Sequence, residues 1–199
     1  MAELTAVQRQ RRQVTIDALL DAAERGMIEH GLGVSMDDIA TLAQVARRTV
    51  FRYFATREDL LSAAVDASCA KHLRSVPEYT GDDWHTWLAD VALVRHQANL
   101  QAGHLHREFT ARPLPARLAQ AYARYQEELH RFFRSVADSV WRAAGGDGST
   151  PQPLQQTVAA HLSPMFTQAV VVDAGGTAEL AADMAVEAVT ATVRRLVGQ

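Results

Sequence analysis

Between Ile39 and Arg57 the chain carries Arg47, Arg48, Arg52 and Arg57 and no acidic residue, and Arg9, Arg11 and Arg12 stand together near its start. A guanidinium group presents a rigid fork of donors that matches a phosphate or the major-groove edge of guanine. On a helix beginning at residue 47, Arg48 and Arg52 are four apart and share a face. Val50 and Phe54 each lie two residues further on, about 200° round the helix, and turn toward a core. A short helix with one apolar and one cationic side fits the major groove of double-stranded DNA. Taken alone, four clustered arginines are more often a solvated face. The residues before them decide for the groove.

Ser35 can cap a helix over 36–43, with Asp37 and Asp38 at its positive end. Ile39 and Leu42 turn inward, and Ala40 allows close helix approach. Gln44-Val45-Ala46 is a three-residue turn before the arginine-bearing helix 47–53. Two helices of this length joined by so short a turn have the proportions of a helix-turn-helix over residues 35–54. Thr56 can cap the next helix, 57–74, with a stripe of Leu60, Leu61, Ala64, Val65, Ser68, Cys69, His72 and Leu73.

Other chemistry is weaker. His104, His106 and Glu108 suggest a metal site, but residues two apart on a helix point in different directions, unlike an i, i+4 ligand pair. The cysteine pair of a zinc deaminase is missing, because Cys69 is the single cysteine of the chain. Cys69 sits on an apolar stripe and reads as buried. There is no G-x-S-x-G, no P-loop and no G-x-G-x-x-G. No catalytic residue, metal or cofactor is expected.

The elements that position these residues read as helices. Ile16, Leu19, Leu20, Ala23, Met27 and Ile28 form one stripe on a helix 9–30, which Gly31 and Gly33 end by taking the left-handed conformation. Beyond Pro77–Gly81, with Asp82 and Asp83 as cap candidates, helices are expected over 84–101 and 114–144. Gly103 interrupts, and 104–111 is a short helical or irregular piece. Gly145 to Pro151 is the clearest loop, and helices 152–172 and 178–197 follow. The fold class is all-α with about nine helices. Domain boundaries are expected at 12–72 for the DNA-binding block and 73–199 for a larger helical block. A hydrophobic share of 48% suits a soluble globular chain, and no apolar run is long enough for a membrane span. The polar, then basic, N-terminus lacks the apolar core of a secretory signal, so a cytoplasmic location is expected. The net charge of −3 alone argues against DNA binding, yet the stretch from Ile39 to Arg57 is wholly cationic in its charges. Binding surfaces are local, whereas net charge is a sum.

Residues 16–61 resemble the DNA-binding domain of the tetracycline-repressor (TetR) family of transcriptional regulators. The resemblance rests on Ala22-Ala23, Gly31, Ile39-Ala40, Val45, then Thr49 and Phe51-Arg52-Tyr53-Phe54, and finally Thr56 to Leu60. The family's usual turn glycine is Gln44 here, its helix-capping serine is Ala46, its tyrosine is Phe51 and its lysine is Arg57. A positive φ is therefore expected at Gln44, and a missing side-chain cap at Ala46. The resemblance implies that Ser35 touches a phosphate, that Arg47, Arg48, Thr49 and Arg52 face the groove, and that Tyr53 and Arg57 clamp the DNA backbone. Arg11 and Arg12 would reach DNA from an N-terminal arm.

For the larger block it implies a mostly apolar small-molecule effector. Its candidate lining is Trp84, Trp87, Leu88, Phe109, Tyr122, Tyr125, Phe132 and Phe133, each of which can equally be core. It also implies a homodimer on a palindromic operator, paired through Leu162, Phe166, Val170, Met184, Ala188 and Ala191. The function so read is a repressor released from DNA by its effector. The alternative is a helical small-molecule-binding protein or enzyme whose basic stretch is incidental.

Overall fold

A computed structural model describes residues 5–81 and 83–198, with the side chain of His104 left out; the cap expected at Asp82 lies outside the described residues. Every regular element among them is helical, as the sequence predicts. The elements are α1 (Ala6–His30), a 3-10 turn (Gly31–Gly33), α2 (Met36–Leu42), α3 (Arg47–Tyr53), α4 (Arg57–Arg74) and α5 (Trp84–Ala111). They continue with α6 (Ala116–Ala143), α7 (Gln152–His161), α8 (Pro164–Thr167), a π-helical segment (Gln168–Asp173) and α9 (Ala178–Val197).

Three elements differ from the expected ones. The first helix starts at Ala6, because Thr5 and Gln8 form a capping box. The Gln8 amide donates to Thr5 Oγ1 at 3.3 Å, and the Thr5 amide donates to Gln8 Oε1 at 2.9 Å. Second, α5 runs unbroken through Gly103. A Cβ there would meet nothing, so that glycine answers no steric need and only weakens a helix that its neighbours sustain. Third, the helix expected over 152–172 breaks at Ser163-Pro164. Ser163 accepts from the Phe166 amide at 3.1 Å and proline stands at the first position of a new turn. The chain then widens into π-type hydrogen bonds, such as Ala174 N–H to Ala169 O at 3.0 Å.

The chain divides into two compact units. One holds the described residues up to Ala70 together with His104–Tyr125. Its core gathers Leu19, Ala23 and Met27 of α1, Ile39 of α2, Val50 of α3, Leu60, Leu61 and Ala64 of α4, then Leu105, Phe109, Leu118 and Tyr122. Burial of this kind contributes about 1.5–3 kcal/mol for each large side chain. Gly26 lets α1 lie close to α2 and the residues leading into it, since a Cβ there would stand 3.2 Å from Leu42 Cδ1 and 2.8 Å from Val34 Cγ2. Arg117 pairs with Asp59, and Arg124 pairs with Asp66 at 2.7 Å, so α4 and the start of α6 are also tied by charge.

The second unit holds Lys71–Gly103 and the residues from Gln126 onward. Leu88 and Val91 of α5, Val136 and Val140 of α6, Leu154 and Val158 of α7, and Ala181, Ala185 and Val189 of α9 are all buried. Helices α4, α5 and α6 each contribute residues to both units. No described helix is long and apolar enough to cross a membrane.

Candidate nucleic-acid interface

The α2–turn–α3 segment is built from the inside out. Ile39 and Val50 are fully buried and hold the two helices against α1 and α4. The turn closes through the Val45 amide on the Ala40 carbonyl at 3.0 Å and the Gln44 amide on Thr41 O at 3.0 Å. Gln44 sits at φ 55°, the left-handed region where glycine is at ease. Ala46 caps α3 with extended backbone and no side-chain hydrogen bond. Both departures from the family pattern thus have the local consequence expected of them. Arg25 of α1 donates to the carbonyl of Leu42 at 2.9 Å and so caps the last turn of α2. That residue was not anticipated, because no short-range spacing links positions 25 and 42.

On this base α3 presents a cationic face. Arg47, Arg48 and Arg52 are exposed, and Thr49 and Tyr53 are half-buried. The three arginines are not equivalent. Arg47 pairs with Asp37 at 3.1 Å and lies 5.4 Å above the ring of Phe51. Arg52 lies 4.9 Å over the Tyr53 ring and donates weakly to its hydroxyl at 3.4 Å. Arg48 engages no described residue, so its guanidinium is the one on α3 that no neighbouring side chain holds. Phe51 is 44% exposed beside them. An aromatic edge there suits the methyl group of thymine.

Two expected phosphate ligands are otherwise engaged. The Ser35 hydroxyl donates to Asp38 Oδ2 at 2.6 Å and accepts from the Asp38 amide at 3.1 Å. The hydroxyl's bond first, then the Ser35 amide's bond to the same oxygen at 3.0 Å, hold the Asp38 carboxyl below its ordinary pKa. A phosphate would have to displace an ionised carboxylate from Ser35. Arg57 turns inward, donating to Leu32 O at 2.9 Å and Val34 O at 3.4 Å. The backbone of the 3-10 turn leaves these carbonyls without helical partners, and Arg57 supplies donors to them. Arg11 and Arg12 are exposed on the first turns of α1.

The 3-10 turn that leads into α2 has a second anchor. Gly31 sits at φ 70°, ψ −167°, a region essentially reserved for glycine and distinct from the left-handed cap expected. Glu108 of α5 fills the space beside it. Its Oε2 accepts from the Leu32 amide at 2.7 Å and from Arg112 at 3.1 Å. The carboxylate first considered as a metal ligand is therefore a strut under the helix-turn-helix. Its neighbour His106 faces the Tyr122 hydroxyl at 3.2 Å, and burial first, then Arg107, lowers its pKa.

The residues expected around an effector fall in two groups. Phe109, Tyr122 and Tyr125 stack in the first unit, with Phe109 and Tyr122 nearly parallel at 4.6 Å. In the second unit, Leu88 and Phe133 are buried, Trp87 donates to Pro77 O at 2.8 Å, and Trp84 stacks on His85. Phe132 packs against Phe133 and lies below Arg95.

Of the residues expected at a dimer face, Leu162 is corrected. It is 1% exposed inside its own unit, because it ends α7 where the chain turns inward, and its carbonyl accepts from Asn99. Phe166 and Val170 are half-buried. The outer side of α9 carries Leu180, Met184, Ala188 and Ala191, and Met165 stands 65% exposed at α8.

Residues 19–64 match the family model described as bacterial regulatory proteins, tetR family. No curated protein matches the chain. Among solved structures, a TetR transcription regulator from Haloarcula marismortui is similar at 19% identity and TM-score 0.66, over 90% of this chain and 98% of that one. A putative TetR-family regulator from Mesorhizobium loti is similar at 20% identity and TM-score 0.66, over 92% and 98%. The regulator FadR from Bacillus subtilis, solved in complex with stearoyl-CoA, is similar at 16% identity and TM-score 0.59, over 86% and 96%. The chain therefore has the fold of TetR-family transcriptional regulators.

Proposed function

We propose that the chain, whose residues 19–64 match the tetR family of bacterial regulators, is a DNA-binding transcriptional repressor that a small-molecule effector releases from its operator. The observation that carries this reading is the helix-turn-helix itself. Ile39 and Val50 face inward, and Arg47, Arg48 and Arg52 face outward on α3. Phosphate contacts fix register and base contacts give specificity. Arg48, unheld, and Phe51, exposed, suit base contacts. Arg47 and Arg52 are pre-oriented over aromatic rings and suit phosphates.

The protein acts in the cytoplasm as a homodimer on a palindromic operator. The exposed apolar side of α9 with Met165 supports the pairing surface. Two recognition helices then meet half-sites about one helical turn apart. The effector binds a conformation with a different spacing, and it shifts the population only by its differential affinity for the two states. α5 is suited to carry that change, because its own Glu108 holds the turn leading into α2.

The test is binding to the DNA upstream of the chain's own gene, followed by fluorescence anisotropy at stated salt. Arg48→Ala is expected to weaken specific binding by about 1–3 kcal/mol, roughly fivefold to over a hundredfold. Full affinity in that variant would remove α3 from the interface. Absence of specific binding by the native chain would remove the function.

A further inference from the structure

The polar cluster on α5 in the second unit holds donors that no acid satisfies. Arg95 is 3% exposed, and its Nη2 donates to Asn99 Oδ1 at 3.0 Å. Its Nε is buried without a partner, and among the described residues it forms no ion pair. Beside it His96 is fully buried, with Nδ1 2.8 Å from Thr167 Oγ1 and the backbone of Ala181 as a further, weaker hydrogen-bond partner of the ring. The Thr167 hydroxyl has one proton, with Ser163 O at 3.2 Å as the other acceptor. Placed in the shorter bond it makes Nδ1 the acceptor and leaves the ring's N–H to the Ala181 backbone. Asn99 is spent on Thr167 Oγ1 at 2.9 Å and Leu162 O at 3.3 Å. Aromatic groups flank the cluster: Phe132 lies 5.9 Å from the guanidinium carbon, and Phe166 is 5.9 Å from the His96 ring.

Burying a guanidinium without a counter-charge opposes folding, and natural chains keep such a group where an anion completes it. A buried guanidinium with no counter-charge and an unspent Nε donor, framed by two aromatic rings, describes a receptor for one planar anionic group on an apolar body. Thr167 also stands at the start of the π-helical segment, and such wide turns recur at functional sites.

We propose that Arg95 receives the carboxylate of an aromatic or aliphatic carboxylic acid, with Phe132 and Phe166 against its apolar part. This rests on the effector reading above and names the effector's chemical class. Neutral amides and alcohols of the same shape leave the guanidinium unpaired and bind poorly. Arg95→Met removes a charge that the free protein does not pair, so the free variant melts no lower than the native chain.

The experiment is thermal melting of the full-length protein with benzoate or octanoate, against benzamide or octanol, at matched ionic strength. The expected result is a rise of several degrees with the carboxylates only, lost in Arg95→Met and reduced but present in Arg95→Lys. Equal shifts with the neutral probes, a shift that survives in Arg95→Met, or no shift with either carboxylate overturns the proposal. A matching shift with chloride or sulfate reduces the site to a counter-ion site and also overturns it. If Arg95→Met melts far below the native chain, Arg95 is a structural group and the proposal fails. Specific DNA binding by the ligand-free native chain is measured in parallel. Its loss defeats the regulator reading and leaves the carboxylate site standing.

Discussion

Gly31→Ala attacks the turn that sets α2 beneath α3. An alanine Cβ there would stand 2.1 Å from Glu108 Oε1, at backbone angles of φ 70° and ψ −167°. The backbone alone costs about 1–3 kcal/mol in a region that L-residues avoid. The carboxylate must also move, which releases its 2.7 Å hydrogen bond to the Leu32 amide. A hydrogen bond to a charged group contributes about 1.5–3 kcal/mol. The variant therefore loses roughly 3–6 kcal/mol, a large share of a typical stability of about 5–15 kcal/mol. The assay is urea unfolding followed by helical circular dichroism. Tryptophan fluorescence is unsuitable, because Trp84, Trp87 and Trp141 all lie in the other unit. Glu108→Ala alone is expected to cost about 1.5–3 kcal/mol. In the Glu108→Ala background Gly31→Ala then costs only the backbone part, so the double variant matches Gly31→Ala within about 0.5 kcal/mol. Simple additivity of the two changes, or a Gly31→Ala cost under about 1 kcal/mol, would refute the strut.

Burial first, then the charge of Arg95, lowers the His96 pKa to about 4 from its ordinary 6.5. The unfolded chain binds this proton below about pH 6.5 and the folded chain does not, so stability is full above that pH. It falls as pH drops toward 4, by up to about 3 kcal/mol, and His96→Gln should flatten that slope in acid unfolding curves. Gln44→Gly relieves a left-handed non-glycine residue and should raise stability by about 0.5–1 kcal/mol, read from the urea midpoint; a loss would contradict the strain. Ser35→Ala should cost about 1 kcal/mol by removing a capping box, and Ala46→Ser should gain up to a similar amount at the uncapped start of α3, both by the same assay.

What the sequence made legible is what short-range chemistry controls. Ser35, Gln44 and Ala46 lie within a few residues of the groups they act on, and their backbone states follow from residue type. The apolar repeats put Ile39, Val50 and Leu60 inside because a helix has one period and one buried face. Signals of the same kind at Thr5-x-x-Gln8 and Ser163-Pro164 were present and mark a start and a break. The remainder depends on residues far apart in the chain. Glu108 reaches Leu32 across 76 positions, and Arg57 reaches the Leu32 carbonyl across 25. An arginine facing DNA and one bonded to a carbonyl look alike in sequence, so the Leu32 contact of Arg57 was not legible there. Arg95 carried no mark at all, since nothing in its neighbours announces a buried cation.

The central claim is that two copies of α3 read one operator. Hydroxyl-radical footprinting of the chain on DNA upstream of its own gene tests this most directly. Two symmetric protected patches are predicted, centred one helical turn of about 34–36 Å apart or a multiple of it, and both fade together in Arg48→Ala. Uniform protection without a pattern, a single unpaired patch, or an unchanged footprint in that variant contradicts the claim.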